Sequence, residues 1–182
     1  LQQTQVKTVL ERFYFQFLKK FPTLESLSSA TEDEVLKAWE GLGYYTRARN
    51  LHKTAQLVQN KLPQTVKELH TLPGVGPSTA HAIACFAFGV SVPILDGNVK
   101  RILYRYFEVK KANDKELWKL SHELFEVNKF FAYEHNQALM DIGSTVCTIR
   151  NPKCEICPLL SDCKGKGSPL SYPIKKEKKK KE

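Results

Sequence analysis

The sequence predicts an all-helical protein, because apolar residues recur with helical spacing along most of the chain and strand patterns are nearly absent. Near the start of the chain such residues stand three or four positions apart and would share one helix face: Val6, Val9, Leu10, Phe13 and Phe17. The candidate strand over residues 90–95 is short and contains Pro93, which is poorly tolerated inside a sheet. No repeat of fixed period indicates a solenoid or a propeller.

Breaking and capping residues place the boundaries of the helices. Pro22 ends the first helix. Thr31 and Glu34 have the spacing of a capping box, which starts the next one. Gly41 and Gly43 then interrupt the periodic pattern. After this break, helices are predicted over residues 44–60, 65–70, 77–88, 98–107, 114–126 and 131–142.

Length and composition allow one substantial domain or two small ones, since 182 residues with 42% hydrophobic content can bury a core. No apolar run is long enough to span a membrane, so we expect a soluble monomer without a membrane partner. The net charge is +9, but eight lysines and two glutamates in residues 164–182 carry +6 of it. Such a lysine-rich end is typical of a solvated linker or tail, so the net charge is a weak indication of a polyanionic partner.

Four cysteines near the end of the chain have the spacing C-x6-C-x2-C-x5-C: Cys147, Cys154, Cys157 and Cys163. Four thiolates can surround one soft metal centre, and Pro152 and Pro158 keep the intervening segment looped. Two disulfides are the alternative, but no signal peptide suggests secretion, and the fifth cysteine, Cys85, falls in an apolar helical stretch. On chemistry alone, a zinc ion and an iron–sulfur cluster both remain open.

The segment LPGVGPSTA at 72–80 lies between two predicted helices and has the composition of an anion site. Gly74 and Gly76 let backbone amides approach a phosphate at the first turn of the following helix. A tight turn without a ligand is the alternative, but the small residues 78–80 favour close helix packing. The segment resembles the helix-hairpin-helix motif of DNA repair glycosylases. The resemblance implies that five of its residues meet a DNA phosphate: Leu72, Gly74, Val75, Gly76 and Ser78.

Asp96 stands between an apolar run and a Gly-Asn turn. Its position before Val99 is typical of a helix cap, but a carboxylate half excluded from water could also stabilise a developing cation. The combination of the hairpin, Asp96 and the four cysteines resembles the motif pattern of the helix-hairpin-helix superfamily that contains endonuclease III. Within it, LQQTQV at 1–6, GLGYYTRARNLHK at 41–53, LPGVGPSTA at 72–80 and ILDGNVKR at 94–101 are similar to the MutY adenine glycosylases.

This resemblance implies a fold with two subdomains. A helical barrel with the hairpin would cover residues 21–130, and an iron–sulfur subdomain would combine residues 1–20 with residues 131–163. Residues 164–182 would form a basic linker or tail. In this family a cysteine set of this spacing holds a [4Fe-4S] cluster, so the four cysteines are the expected ligands and Arg150 and Lys153 would lie near the DNA.

The implied activity is the removal of adenine mispaired with 8-oxoguanine or guanine in duplex DNA, by hydrolysis of the N-glycosidic bond. Asp96 matches the carboxylate that stabilises the sugar cation, and Asn98 would be its polar neighbour. The family's general-acid glutamate matches a position just before Leu1, so we expect the chain alone to bind DNA with little excision. Ser78 replaces the lysine of endonuclease III-like enzymes, which predicts a glycosylase without lyase activity.

Further DNA contacts follow from the same resemblance. Leu42 and Tyr44 match residues that wedge beside the opposing base, whereas Tyr45 is expected in the core. The residues expected to meet the estranged purine are Gln2, Gln3 and Thr4, and those expected to neutralise phosphates are Lys100 and Arg101. Two other functions remain open, namely an endonuclease III-like glycosylase/lyase acting on damaged pyrimidines and a non-catalytic DNA-binding module. We expect a bacterial, cytoplasmic protein associated with the nucleoid.

Overall fold

The computed structural model describes residues 13–58 and 61–174, and within these ranges it contains helices and turns but no strand. The all-helical prediction is confirmed. The α-helices of these ranges are α1 (Phe15–Lys20), α2 (Leu24–Ser28), α3 (Glu32–Ala38), α4 (Tyr45–Leu57), α5 (Val66–Leu69), α6 (Pro77–Phe88), α7 (Gly97–Tyr106), α8 (Asp114–Glu126) and α9 (Ala132–Asp141). A π-helical turn, Ile142–Val146, follows α9 directly.

Capping residues start several helices where the sequence predicts them. Thr31 accepts a hydrogen bond from the amide of Glu34, whose carboxylate accepts one in return from the Thr31 amide at 2.8 Å. These bonds from Thr31 lower the pKa of Glu34 below its usual value. Asn113 caps α8 in the same reciprocal way. The predicted capping box at Thr31 and Glu34 is therefore confirmed.

The chain divides into two compact units, residues 1–76 and residues 77–182. The core of the first unit contains Phe21, Leu27, Val35, Trp39, Leu42, Ala48 and Ala55. The core of the second contains Leu95, Val99, Ile102, Leu103, Leu117 and Leu139. The boundary falls inside the predicted hairpin, and the subdomain division implied by the resemblance stays a prediction. In the described ranges, no helix is long and apolar enough to cross a membrane.

Candidate active site and nucleic-acid interface

Asp96 lies at the amino end of α7, where its two carboxylate oxygens have different partners. Oδ1 accepts a hydrogen bond of 2.8 Å from the amide of Val99 and so caps the helix. Oδ2 is 3.5 Å from Nδ2 of Asn98, which makes only a weak contact. The residues just before it, Ile94 and Leu95, are buried and fix the chain at this point. Asp96 is therefore a helix cap, with one oxygen still able to face a ligand.

Arg101 joins this end of α7 to the cysteine segment. Its guanidinium donates to Oδ1 of Asn98 at 2.9 Å and to the carbonyls of Gly143 and, at 2.7 Å, Cys147. Burial lowers the pKa of the Arg101 guanidinium, an effect that nearby Cys147 opposes. Hydrogen bonds thus link Asn98 through Arg101 to Cys147, and Asp96 is in weak contact with Asn98; we call these four residues the polar bridge of α7. The hydrogen bonds of Arg101 are directed into the protein, which does not favour its predicted phosphate contact.

Gly143 lies where the π-helical turn approaches α7 most closely. A Cβ atom added to Gly143 would lie 2.6 Å from Cβ of Asn98, closer than side chains can approach. A glycine is therefore required for Asn98 to keep its place beside Asp96. Gly143 is not among the residues predicted from the sequence, because one sequence does not distinguish a glycine at a close approach from a glycine in a turn.

Ser78 and Lys100 are also tied to groups within the second unit. The hydroxyl of Ser78 donates to the carbonyl of Leu95 at 2.5 Å, which fixes α6 against the segment that precedes Asp96. The Lys100 ammonium forms an ion pair of 2.6 Å with Asp114, which is largely exposed. A surface pair of this kind contributes little stability, so the Lys100 amine can exchange Asp114 for a phosphate. The phosphate contact of Lys100 stays a prediction.

The four cysteines of the predicted cluster site line one small cavity. The lining residues are Arg105, Val146, Cys147, Pro152, Lys153, Cys154, Cys157, Leu160, Cys163, Lys166 and Pro169. All four are free thiols, and burial raises the pKa of Cys154 and Cys163. Four soft sulfur donors around one space suit an iron–sulfur cluster chemically. Among the described residues, however, no three Cys, His, Asp or Glu side chains are grouped to hold a metal ion, so the cluster stays a prediction.

In the predicted hairpin the chain reverses direction at Gly74, which has a positive φ of 72°. The Val75 amide donates to the carbonyl of Leu72 at 3.1 Å and closes the turn. A Cβ atom on Gly74 would lie 2.3 Å from Nδ2 of Asn50, so the side chain of Asn50 also requires glycine here. Helix α6 begins at Pro77, directly after the turn, and its first amides have no intrahelical partners.

The turn that precedes α4 carries an exposed tyrosine. Gly41, Gly43 and Tyr44 all have positive φ, and Nε1 of Trp39 holds the turn by donating to the carbonyl of Gly43 at 3.0 Å. The side chain of Tyr44 is 70% exposed. The guanidinium of Arg47 lies 5.4 Å from its ring and 5.7 Å from the ring of Trp39. The exposed aromatic ring is thus linked to the core by a cation.

The other residues predicted near the DNA are placed differently. Leu42 is 8% exposed and lies in the core of the first unit, which does not favour its predicted role as a wedge. Tyr45 is 40% exposed, so the expectation that it lies in the core is wrong. Tyr44, which lies between these two residues, has a positive φ of 49°. Gln2, Gln3 and Thr4 lie outside the described residues.

Known proteins match this chain over most of its length. The family of HhH-GPD superfamily base excision DNA repair proteins matches residues 1–126. An adenine DNA glycosylase of Buchnera aphidicola subsp. Baizongia pistaciae is 46% identical over 191 residues, which cover all of this chain and 53% of that protein. The adenine DNA glycosylase of Homo sapiens is 41% identical over 176 residues, 91% of this chain and 32% of that protein. The chain therefore spans about half the length, or less, of these relatives.

Solved structures agree with this assignment. A thermostable thymine-DNA glycosylase is 31% identical, with a TM-score of 0.82 over 92% of this chain and 80% of that chain. Endonuclease III in a non-covalent DNA complex has a TM-score of 0.75 over 89% of this chain and 78% of that chain, and at 23% identity it shows the fold alone. The chain belongs to the HhH-GPD superfamily of base excision DNA repair proteins.

Proposed function

We propose that the chain carries the DNA-binding and bond-cleaving part of an adenine DNA glycosylase, which removes adenine opposite 8-oxoguanine or guanine from duplex DNA. The observation that carries the proposal is the setting of Asp96. Buried residues precede it, the Val99 amide holds one of its oxygens, and Asn98, itself held by Arg101, lies beside the other. The names of the curated relatives support adenine as the base.

The proposed reaction is a hydrolysis. The bond between the sugar carbon and the adenine nitrogen breaks, and the base leaves with the bonding electrons and takes up a proton. The cationic sugar that remains is stabilised by the Asp96 carboxylate until water adds and releases a proton, which gives an abasic site. Because Asp96 is already fixed by hydrogen bonds, its charge needs little reorganisation as the cation develops. The proton for the base is proposed to come from the family's general-acid glutamate, which the resemblance matches to a position before Leu1.

DNA would be held by the hairpin and by the exposed tyrosine. The first turn of α6 suits a backbone phosphate, since its amides lack intrahelical partners and lie at the positive end of the helix. An enzyme that acts on the sugar of a paired base must first turn that base out of the stack. The exposed ring of Tyr44 suits the space that the base leaves, because aromatic rings stack on neighbouring bases.

Strand cleavage is not part of the proposed reaction. A lyase forms a Schiff base between an amine and the sugar, and Ser78 supplies a hydroxyl, which moreover donates to Leu95. The abasic product is therefore expected to remain intact until alkali breaks the strand.

We also propose that Cys147, Cys154, Cys157 and Cys163 hold a [4Fe-4S] cluster. Bound there, the cluster would organise the segment that contains the exposed Arg150 and Lys153, and glycosidic hydrolysis requires no electron from it. The four thiols around one cavity support this proposal.

The test uses the chain extended at its amino terminus by the residues encoded upstream, and a duplex with adenine opposite 8-oxoguanine. We expect strand breaks only after heating in alkali, and only at the adenine. Breaks without alkali would favour the pyrimidine-lesion lyase, and the absence of any abasic product would favour the non-catalytic module. A matched duplex with adenine opposite thymine is the control and should remain intact.

A further inference from the structure

We propose that Arg105 is a positioning residue of the four-cysteine site. Arg105 helps the site to retain the bound cluster and raises the reduction potential of the cluster. This inference rests on the proposed [4Fe-4S] cluster, but it concerns a residue outside the predicted ligand set. Arg105 lies near the carboxyl end of α7 and is only 3% exposed. Its burial and its contacts distinguish it from the other basic residues around the cysteines.

The guanidinium of Arg105 is directed at the first cysteine and the residues after it. Nη1 donates to the carbonyl of Thr148 at 2.8 Å, to the carbonyl of Cys147 at 3.3 Å and to Sγ of Cys147 at 3.2 Å. Nη2 donates to the carbonyl of Ile149 at 3.3 Å. One side chain thus fixes three consecutive carbonyls and one sulfur, and the direction of the Cys147 side chain follows from these bonds.

The backbone of Arg105 meets the last cysteine. Sγ of Cys163 lies 3.7 Å from the carbonyl oxygen of Arg105, and a Cβ on Gly165 would lie 2.5 Å from the same oxygen. The chain after Cys163 can pass this close to α7 only because residue 165 is glycine. Arg105 therefore contacts both ends of the cysteine set, which are sixteen positions apart in the sequence.

The charge of Arg105 is not balanced by a carboxylate. In the described part of the chain no Asp or Glu forms an ion pair with it, and its Nε is buried without a hydrogen-bond partner. A buried cation is costly unless an opposite charge compensates it. Four thiolates around a cluster would supply that charge, because a cluster with four cysteine ligands is an anion. The unbalanced guanidinium is thus explained if the cavity holds an anionic group.

Two consequences follow for a bound cluster. The hydrogen bonds to the Cys147 segment hold a ligand in place, and loss of such supporting groups typically weakens metal binding by roughly 10- to 100-fold. The positive charge and the bond to sulfur favour the reduced, more negative state of the cluster over the oxidised state. Removal of Arg105 should therefore speed the loss of iron and lower the reduction potential.

Arg101 provides a matched control from the same helix, one turn earlier. It also donates to the carbonyl of Cys147, but its other hydrogen bonds go to Asn98 and Gly143, and it makes none to a sulfur. Loss of Arg101 is therefore expected to act on Asn98 beside Asp96, whereas loss of Arg105 is expected to act on the cluster.

The experiment compares the iron-loaded parent with Arg105→Met, Arg105→Lys and Arg101→Met. For each protein we would measure the rate of iron release to a chelator. We would also measure the reduction potential of the cluster, followed by its visible absorbance. We expect Arg105→Met to release iron roughly 10- to 100-fold faster. We expect its ratio of reduced to oxidised cluster to fall about tenfold at a fixed potential, which is about 59 mV for one electron. Arg105→Lys, which keeps the charge without the planar fork, should lie between the parent and Arg105→Met.

Unchanged iron release and potential in Arg105→Met would overturn the inference, as would an equal change of potential in Arg101→Met. If Arg105→Met does not fold, Arg105→Lys decides, and parental values of both quantities in that variant would overturn the inference. A parent that binds no iron would remove the proposed cluster together with the role of Arg105. In another outcome, the parent holds iron and excises adenine while the Arg105 variants keep the parental iron release and reduction potential. That result would overturn the role of Arg105 and leave the proposed function intact.

Discussion

The turn before α4 and the polar bridge of α7 present functional groups in opposite ways. In the turn, backbone strain places the ring of Tyr44 in solvent, where it has few neighbours besides Arg47. In the bridge, polar groups are only partly exposed and contact one another, from Asp96 through Asn98 to Arg101. An exposed group can be removed without loss of packing, whereas removal of one group from a hydrogen-bonded network also affects its partners. The two regions should therefore respond differently to substitution.

Asp96→Asn should have the largest effect, because it removes the proposed catalytic charge and keeps the shape of the bridge. We expect excision to fall by roughly 100- to 1000-fold, the loss typical of an electrostatic group at a reacting centre. Stability should stay the same within about 0.5 kcal/mol, because asparagine caps a helix as well as aspartate does. Single-turnover excision and denaturant unfolding measure the two quantities. Retained turnover would remove the catalytic assignment of Asp96.

Leu42→Ala separates the core from the exposed side of the turn. Since Leu42 is buried among the apolar residues of the first unit, the substitution should lower the free energy of unfolding by about 2–5 kcal/mol. Excision per folded molecule should change little. Urea unfolding followed by tryptophan fluorescence is a suitable measurement. If stability is kept while excision is lost, Leu42 acts at the DNA and its buried position is misleading.

Gly143→Ala breaks the bridge without changing any charge. The added methyl group would overlap with Asn98, and we expect a loss of stability of about 1–3 kcal/mol from overpacking, together with slower excision. Gly167→Ala is the control, because a Cβ at Gly167 meets nothing within 4 Å. That variant should be unchanged within about 0.5 kcal/mol. Equal behaviour of the two variants would show that the approach of the π-helical turn does not position Asn98.

Tyr44→Gly should not destabilise the protein. A non-glycine residue with left-handed φ costs roughly 1–2 kcal/mol, so glycine should leave the protein as stable or slightly more stable. Excision should nevertheless fall, because the ring proposed to enter the DNA is missing. Thermal unfolding and single-turnover excision on the same samples test this pair of outcomes. A destabilised variant with normal excision would show that Tyr44 contributes to packing and does not act at the DNA.

Helices are the part of the fold that the sequence predicts well. The predicted helices over 77–88 and 114–126 have the bounds of α6 and α8, because apolar periodicity and capping residues act locally. The four cysteines, predicted to surround one metal centre, line one cavity, whereas the cluster itself stays a prediction.

Side-chain directions are less predictable, because they depend on contacts between distant segments. Arg101 is predicted from the sequence to neutralise a phosphate, yet it donates to Gly143 and Cys147, more than 35 positions away, and Arg105, for which the sequence predicts no role, donates to the same segment. Tyr45 is 40% exposed, and the left-handed φ of its neighbour Tyr44 has no signal in the residue pattern. Close approaches at Gly143 and Gly165 likewise exist only once α7 has met later segments of the chain.

We propose that a purine is hydrolysed from its sugar beside Asp96 without strand cleavage. Product analysis with the amino-terminally extended chain and a duplex with adenine opposite 8-oxoguanine is the sharpest test of this proposal. Mass spectrometry should detect free adenine in equal amount to abasic sites, on strands that stay intact until alkali is added. The absence of free adenine, or strands that are already broken at neutral pH, would contradict the proposed hydrolysis without strand cleavage.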